Sequence, residues 1–232
     1  MQKMKNKVIY FALSFIFLAI IALLSYVVFL SFDKNKYPPH KDITVTIFWV
    51  GEEASKENNN ISNIQSAWDS KWQEHFGGVD DPKNRNGYYP ENFVPKENPF
   101  YFALPYNDLD ENGERKNSAK KVVYWADEKK EWRNNESMCK NRWIKITKGE
   151  RTAFAQWQDV GPFGADDAGY VFGNSEPKNK TNHSTGLDVS PAVRDYLSLS
   201  DIDKVSWQFV DEKYVPEGPW KEIITNRQLY WD

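Results

Sequence analysis

The chain has 232 residues, 40% of them hydrophobic and 27% charged, which is enough apolar content for one packed domain and excludes a disordered polyampholyte. A single cysteine, Cys139, and three scattered histidines exclude a disulfide framework and a multi-Cys or His-rich metal site, so neither metal nor cofactor is expected. The net charge of −3, or −5 for the 27 basic and 32 acidic side chains beyond residue 33, gives no electrostatic footprint for nucleic acid.

Residues 1–7 form a short tail carrying Lys3, Lys5 and Lys7, expected on the cytoplasmic side. Residues 8–32 are uncharged and dominated by Ile, Leu, Phe, Val and Ala. As a helix such a run spans about 37 Å, enough to cross a bilayer with some tilt. It is longer than a signal-peptide core and ends in bulky residues rather than a small-residue cleavage motif, so it predicts an uncleaved single-pass anchor. Lys34, Lys36 and Lys41 beyond the run balance the three lysines before it, so the orientation rests on the short amino-terminal tail, with the following domain exported. Residues 33–41, with Pro38-Pro39, form an extended linker that holds residues 42–232 near the membrane.

Strand patterns begin with the alternation of Ile43, Val45, Ile47 and Trp49, and recur at 100–104, 122–125, 142–147, 152–157, 205–210 and 222–225. Ile61, Ile64, Trp68 and Trp72 repeat at three- and four-residue steps, which predicts a helix over 61–75 packed on the strands. Ser190 followed by Pro191 reads as an N-cap and first helical residue, opening a short helix through Leu197. Short strands with one or two helices predict a small, mostly β barrel with long inserted loops at 51–99 and 164–185.

Two acids stand at strand ends. Asp159 closes a strand before Val160-Gly161-Pro162-Phe163, and Asp188 sits between Leu187 and Val189, just ahead of the capped helix. Pattern alone leaves two readings of Asp188 open. It either hydrogen-bonds nearby turn amides, or it points out of the sheet rim, partly desolvated, with the raised pKa that a general acid at neutral pH requires. Sugar rings present apolar faces that flat indoles can cover, and Trp157, two residues before Asp159, is the tryptophan best placed to line a groove.

The Gly-Pro-Phe after an acid, followed by an apolar-Asp-apolar-Ser run into a short helix, resembles the double-psi β-barrel of the rare lipoprotein A family. Residues 142–147 and 100–105 resemble strands of that barrel, and membrane-bound lytic transglycosylase A, expansins and family-45 endoglucanases are similar in architecture. The resemblance implies a six-stranded double-psi β-barrel with short helices, preceded by one transmembrane helix. It also implies that Asp188 is the catalytic acid and Asp159 the second barrel acid. The chain departs from the family at Val160, where the family carries Arg, and in the strand where the family carries His; Tyr106, Asn107 or Asp108 stands in that region. The spacing between the two acids is longer than in the family, so residues 165–185, with Tyr170 and His183, read as an insertion at the mouth of the site. Phe163, Tyr106, Asn107, Tyr170, His183 and Trp157 complete the expected substrate-binding set.

Because a lytic transglycosylase traps the cationic carbon with the sugar's own 6-hydroxyl, one carboxyl can serve as acid and then as base. A two-carboxylate hydrolase fits this chain less well. The expectation is therefore a protein on the outer face of a bacterial inner membrane acting on cell-wall glycan, peptidoglycan or another polysaccharide, by transglycosylase-like cleavage. The alternatives are a non-catalytic expansin-like binding module and a structural partner in an envelope assembly.

Overall fold

The computed structural model describes residues 36–229 except 57 and 59. The predicted anchor at 8–32 lies outside the described residues, and among those described no helix is long and apolar enough to cross a membrane. The unit that begins at Pro38 contains every element named below.

Runs of buried residues build the sheet, continuous in β-strands such as Tyr101–Leu104 and alternating in Ile202–Val210. In β1 (His40–Ile47) Ile43 and Val45 are buried, and Asp42, at φ 57°, sits where the register with the neighbouring strand slips. A two-stranded ribbon, β2 (Arg85–Asn86) and β3 (Tyr89–Pro90), lies within the first long insertion. The barrel strands that follow are β4 (Tyr101–Leu104), β5 (Trp143–Lys148), β6 (Arg151–Val160), β7 (Leu187–Val189) and β8 (Ile202–Val210). The turn between β5 and β6 spans two residues and places Gly149 at φ 57°, a conformation natural to glycine.

Six strands close into a barrel in the order β1-β7-β4-β6-β5-β8. Two neighbouring pairs are parallel, β1 with β7 and β4 with β6; the remaining four are antiparallel. This pairing has an internal twofold. Exchanging β1, β4 and β5 with β6, β7 and β8 respectively reproduces the same set of neighbours and directions. Trp157, Trp207, Phe209 and Phe102 lie among the buried aromatics, with Trp157 stacked on Phe102 at 5.8 Å between centroids.

The helix Pro191–Leu197 forms as the sequence predicts, with the Ser190 hydroxyl accepting the Val193 N–H at 3.3 Å. The helix predicted over 61–75 shrinks to Trp72–Phe76. Ser66 and Asp69 explain the loss: their side chains accept the backbone N–H groups of Trp68 and Lys71, local bonds that compete with helix formation. Trp68 and Trp72 are buried as the stripe requires, whereas Ile61 and Ile64 remain about 40% exposed. The strands predicted at 122–125 and 222–225 are also absent. The first region is a turn between the helical turn Ala119–Val122 and the short 3-10 helix Ala126–Glu128, and at the second the Thr225 N–H binds the Gln156 side chain instead of a ladder partner.

Candidate active site

The site begins at Ala103 of β4. Its neighbour on one side is Asp188 of β7, and on the other Asp159 of β6. Cross-strand partners share a face, and strands lie about 4.8 Å apart, so the Cα atoms of the two acids stand roughly 10 Å apart with a single methyl group between their side chains. The closed barrel delivers both carboxyls to one place.

A bulge makes this possible. Phe102 pairs with Trp157, but Ala103 pairs with Asp159, leaving Gln158 as an extra residue in β6. Strict alternation would put Trp157 and Asp159 on one face. The extra residue leaves Trp157 on the Phe102 side, in the core, and turns Asp159 to the Ala103 side. Trp157 is thus fully buried, and its indole N–H donates to the Asp159 carbonyl at 2.7 Å. It fixes the backbone behind the acid and does not line a groove.

Asp188 and Asp159 open onto a cleft of about 830 Å³. Thr46, the residue beside Asp188 in the parallel β1–β7 pair, donates its hydroxyl to Asp188 Oδ1. The other oxygen faces Gly161: a Cβ built there would stand 3.6 Å from Asp188 Oδ2 and 3.9 Å from the Ala103 methyl. Asp188 is half-buried by surface exposure, yet crowded closely by the cleft walls. That desolvation raises its pKa to about 7, with further upward pushes from Asp159 and Glu52 against the opposing bond from Thr46. Asp159 is only 7% exposed, and burial raises it to about 6, opposed by the Ala67 N–H on Oδ1 at 2.7 Å, by the Val160 backbone and by Lys140. Both carboxyls are pushed upward, but Asp159 has a backbone N–H that favours its anion, whereas Asp188 has the Thr46 hydroxyl.

Phe163, 38% exposed at φ 51°, also lines the cleft. Several expected binding residues do not. Tyr106 is 3% exposed, and the Asn107 carbonyl oxygen is occupied by the Trp68 indole N–H and the Leu109 amide. Tyr170 is fully buried, its hydroxyl accepting from the Trp207 indole. His183 is exposed on the turn Asn182–Ser184 at φ 60°, and its neighbour Asn182 is the residue that reaches the cleft.

The sequence reading missed Thr46, Ala103, Glu52 and the cleft-lining Trp49. Glu52 receives the Asn63 side-chain N–H at 2.7 Å and is raised by burial despite its hydrogen bonds. The backbone exchange Gly51 N–H to Asn63 and Asn63 N–H to Glu52 holds it there. The 51–99 segment is thus built into the site: it supplies Glu52, and its Ala67 amide binds Asp159. No cluster of His, Cys, Asp and Glu able to hold a metal occurs among the described residues.

No protein-family model matches the chain, and no curated protein matches it either. Among solved structures, the Streptomyces papain inhibitor (SPI) is similar at 12% sequence identity, over 75% of this chain and 96% of that one, with a TM-score of 0.31. At that overlap neither a site nor an activity carries across.

Proposed function

We infer that this is a cell-wall glycan-acting barrel of double-psi type, held at the outer face of a bacterial inner membrane by residues 8–32, with Asp188 as the acid/base of a transglycosylase-like cleavage. One observation carries the reading: an acid with pKa near 7, bound by a single side-chain hydroxyl rather than by turn amides, stands on a cleft large enough for several sugar rings. The twofold pairing, with its two parallel pairs, supports the double-psi assignment.

Protonated Asp188 would donate to the glycosidic oxygen as the C1–O bond breaks. The resulting carboxylate would then take the proton of the muramic acid 6-hydroxyl as that oxygen bonds to C1, closing an anhydro sugar and restoring the acid. No water is consumed. The half-buried Trp49 and exposed Phe163 offer apolar surface for sugar faces.

A second reading, an expansin-like polysaccharide-binding module, is favoured by the tie between Asp159 and the Ala67 amide, which leaves Asp188 without a free partner acid. Full-length protein in detergent micelles, incubated with purified peptidoglycan, separates the two. The enzyme reading expects anhydro-muropeptides by mass spectrometry, lost at least 100-fold in Asp188→Asn. Retention on the glycan without any cleavage product selects the binding module.

A further inference from the structure

Lys140 has no part in the chemistry above, yet its place in the fold is costly. It is 2% exposed, and lysines are almost never buried so completely without a paired charge. Its ammonium donates to the neutral Gln158 side chain at 2.9 Å and forms no direct ion pair among the described residues. Gln158 is the extra residue of the β6 bulge, adjacent to Asp159, and its own amide is held by Asn141 at 2.9 Å. The bulge that turns Asp159 to the cleft therefore also supplies the oxygen that anchors the lysine.

Three buried acids surround the ammonium at longer range. Glu97 is 4% exposed, its carboxylate has no hydrogen-bond partner among the described residues, and Arg227 approaches it only to 3.6 Å. Asp69 is fully buried and held by His75 at 2.7 Å. The third is Asp159. Burial draws Lys140 below its ordinary value, while Glu97, Asp69 and Asp159 oppose that shift and Arg227 adds to it. The groups that act on Asp188 are Thr46 on its β1 side, Asp159 across Ala103, and Glu52. Of the three acids around Lys140 (Glu97, Asp69 and Asp159), only Asp159 lines the cleft.

We propose that Lys140 is a positioning residue, the buried counter-cation that keeps Asp159 ionised so that the proton of the acid pair resides on Asp188. Two neighbouring carboxyls in unlike surroundings, one with a backbone amide and a buried cation nearby and the other with a side-chain hydroxyl, can divide the roles of anion and acid. The assignment rests on the reading of Asp188 and Asp159 as the working pair. It adds that the second acid acts as a fixed negative charge, available to stabilise positive charge developing on the sugar.

The test is a pH titration followed by NMR of full-length protein in micelles, labelled with ¹³C at the aspartate carboxyls. Signals are assigned through Asp159→Asn and Asp188→Asn. In Lys140→Met the Asp159 midpoint is expected to rise by about one pH unit, a tenfold change in its protonation ratio, while the Asp188 midpoint falls as the neighbouring charge disappears. Lys140→Arg keeps the charge and is expected to leave both midpoints in place. If the Met variant does not fold, Lys140→Gln carries the same comparison. Midpoints that stay put in the charge-removing variant, or move together, overturn the proposal. The titration needs no substrate, so opposed shifts without glycan cleavage would sink the enzymatic reading and leave the role of Lys140 standing.

Discussion

Crowding by Ala103 and Gly161 leaves the Asp188 carboxylate one side-chain donor, Thr46, so ionising it is harder in the folded chain than in the unfolded one. A carboxyl whose pKa is raised on folding stabilises the native state while it stays protonated. That contribution is complete below the unfolded value, near 4, and is lost as pH rises through about 7. Asp188→Asn keeps the shape and removes the titration. The variant is expected to match the wild type in thermal melts at pH 4 and to exceed it at pH 8, by on the order of 2 kcal/mol. Cleavage should be lost in the same protein. A variant that is less stable at pH 8 would mean that the carboxylate is held by favourable bonds, which is incompatible with its use as an acid.

Elements bring these residues together, and here sequence and structure part company in instructive ways. The longer strands β1, β5, β6 and β8 were legible from their apolar and β-branched runs, although only β8 shows a clean period of two in burial and β6 is buried over seven consecutive residues. β7 has three residues, too few for a period, and Asp188 was found through its motif and the helix cap that follows. Thr46 was out of reach because it meets Asp188 across 142 positions, a neighbour created by barrel closure alone. Trp157 was misplaced because a bulge leaves no trace in a single sequence. Ser190 joins two elements: besides capping the helix after β7, its hydroxyl accepts the Tyr101 N–H of β4 at 3.3 Å, and it is fully buried. Ser190→Ala is expected to cost about 1–3 kcal/mol in urea unfolding, since it removes a cap and leaves a buried strand amide unsatisfied. Ala103→Leu addresses the same junction from β4. It would fill the space between the carboxyls, abolish glycan binding, and destabilise the barrel by about 1–3 kcal/mol through overpacking.

Across the described unit, buried acids set the pH behaviour. Asp188 and Asp159 rise to about 7 and about 6, and burial is also the first cause of the upward shifts of Glu52, Asp80, Glu97 and Asp108. Each stabilises the fold when protonated and loses that contribution as pH rises through its folded value. His40 works in the opposite direction. Stacked on Trp207 at 3.9 Å, it is depressed by burial to about 4, so its contribution is complete above its unfolded value near 6.5 and is lost as pH falls through about 4. Between pH 8 and 6.5 His40 does not act, and the raised acids push stability upward as pH falls. Between 6.5 and 4 one histidine opposes several carboxyls, so the climb continues with a shallower slope. The melting temperature is therefore expected to be several degrees higher at pH 5 than at pH 8. His40→Phe, which keeps an aromatic ring on Trp207, should steepen the acid half of the curve and leave the half above pH 7 unchanged. Melting curves at half-unit steps would check both slopes. A maximum at pH 7 or above would show that the acids are ionised at little cost, and would remove the ground for a protonated Asp188.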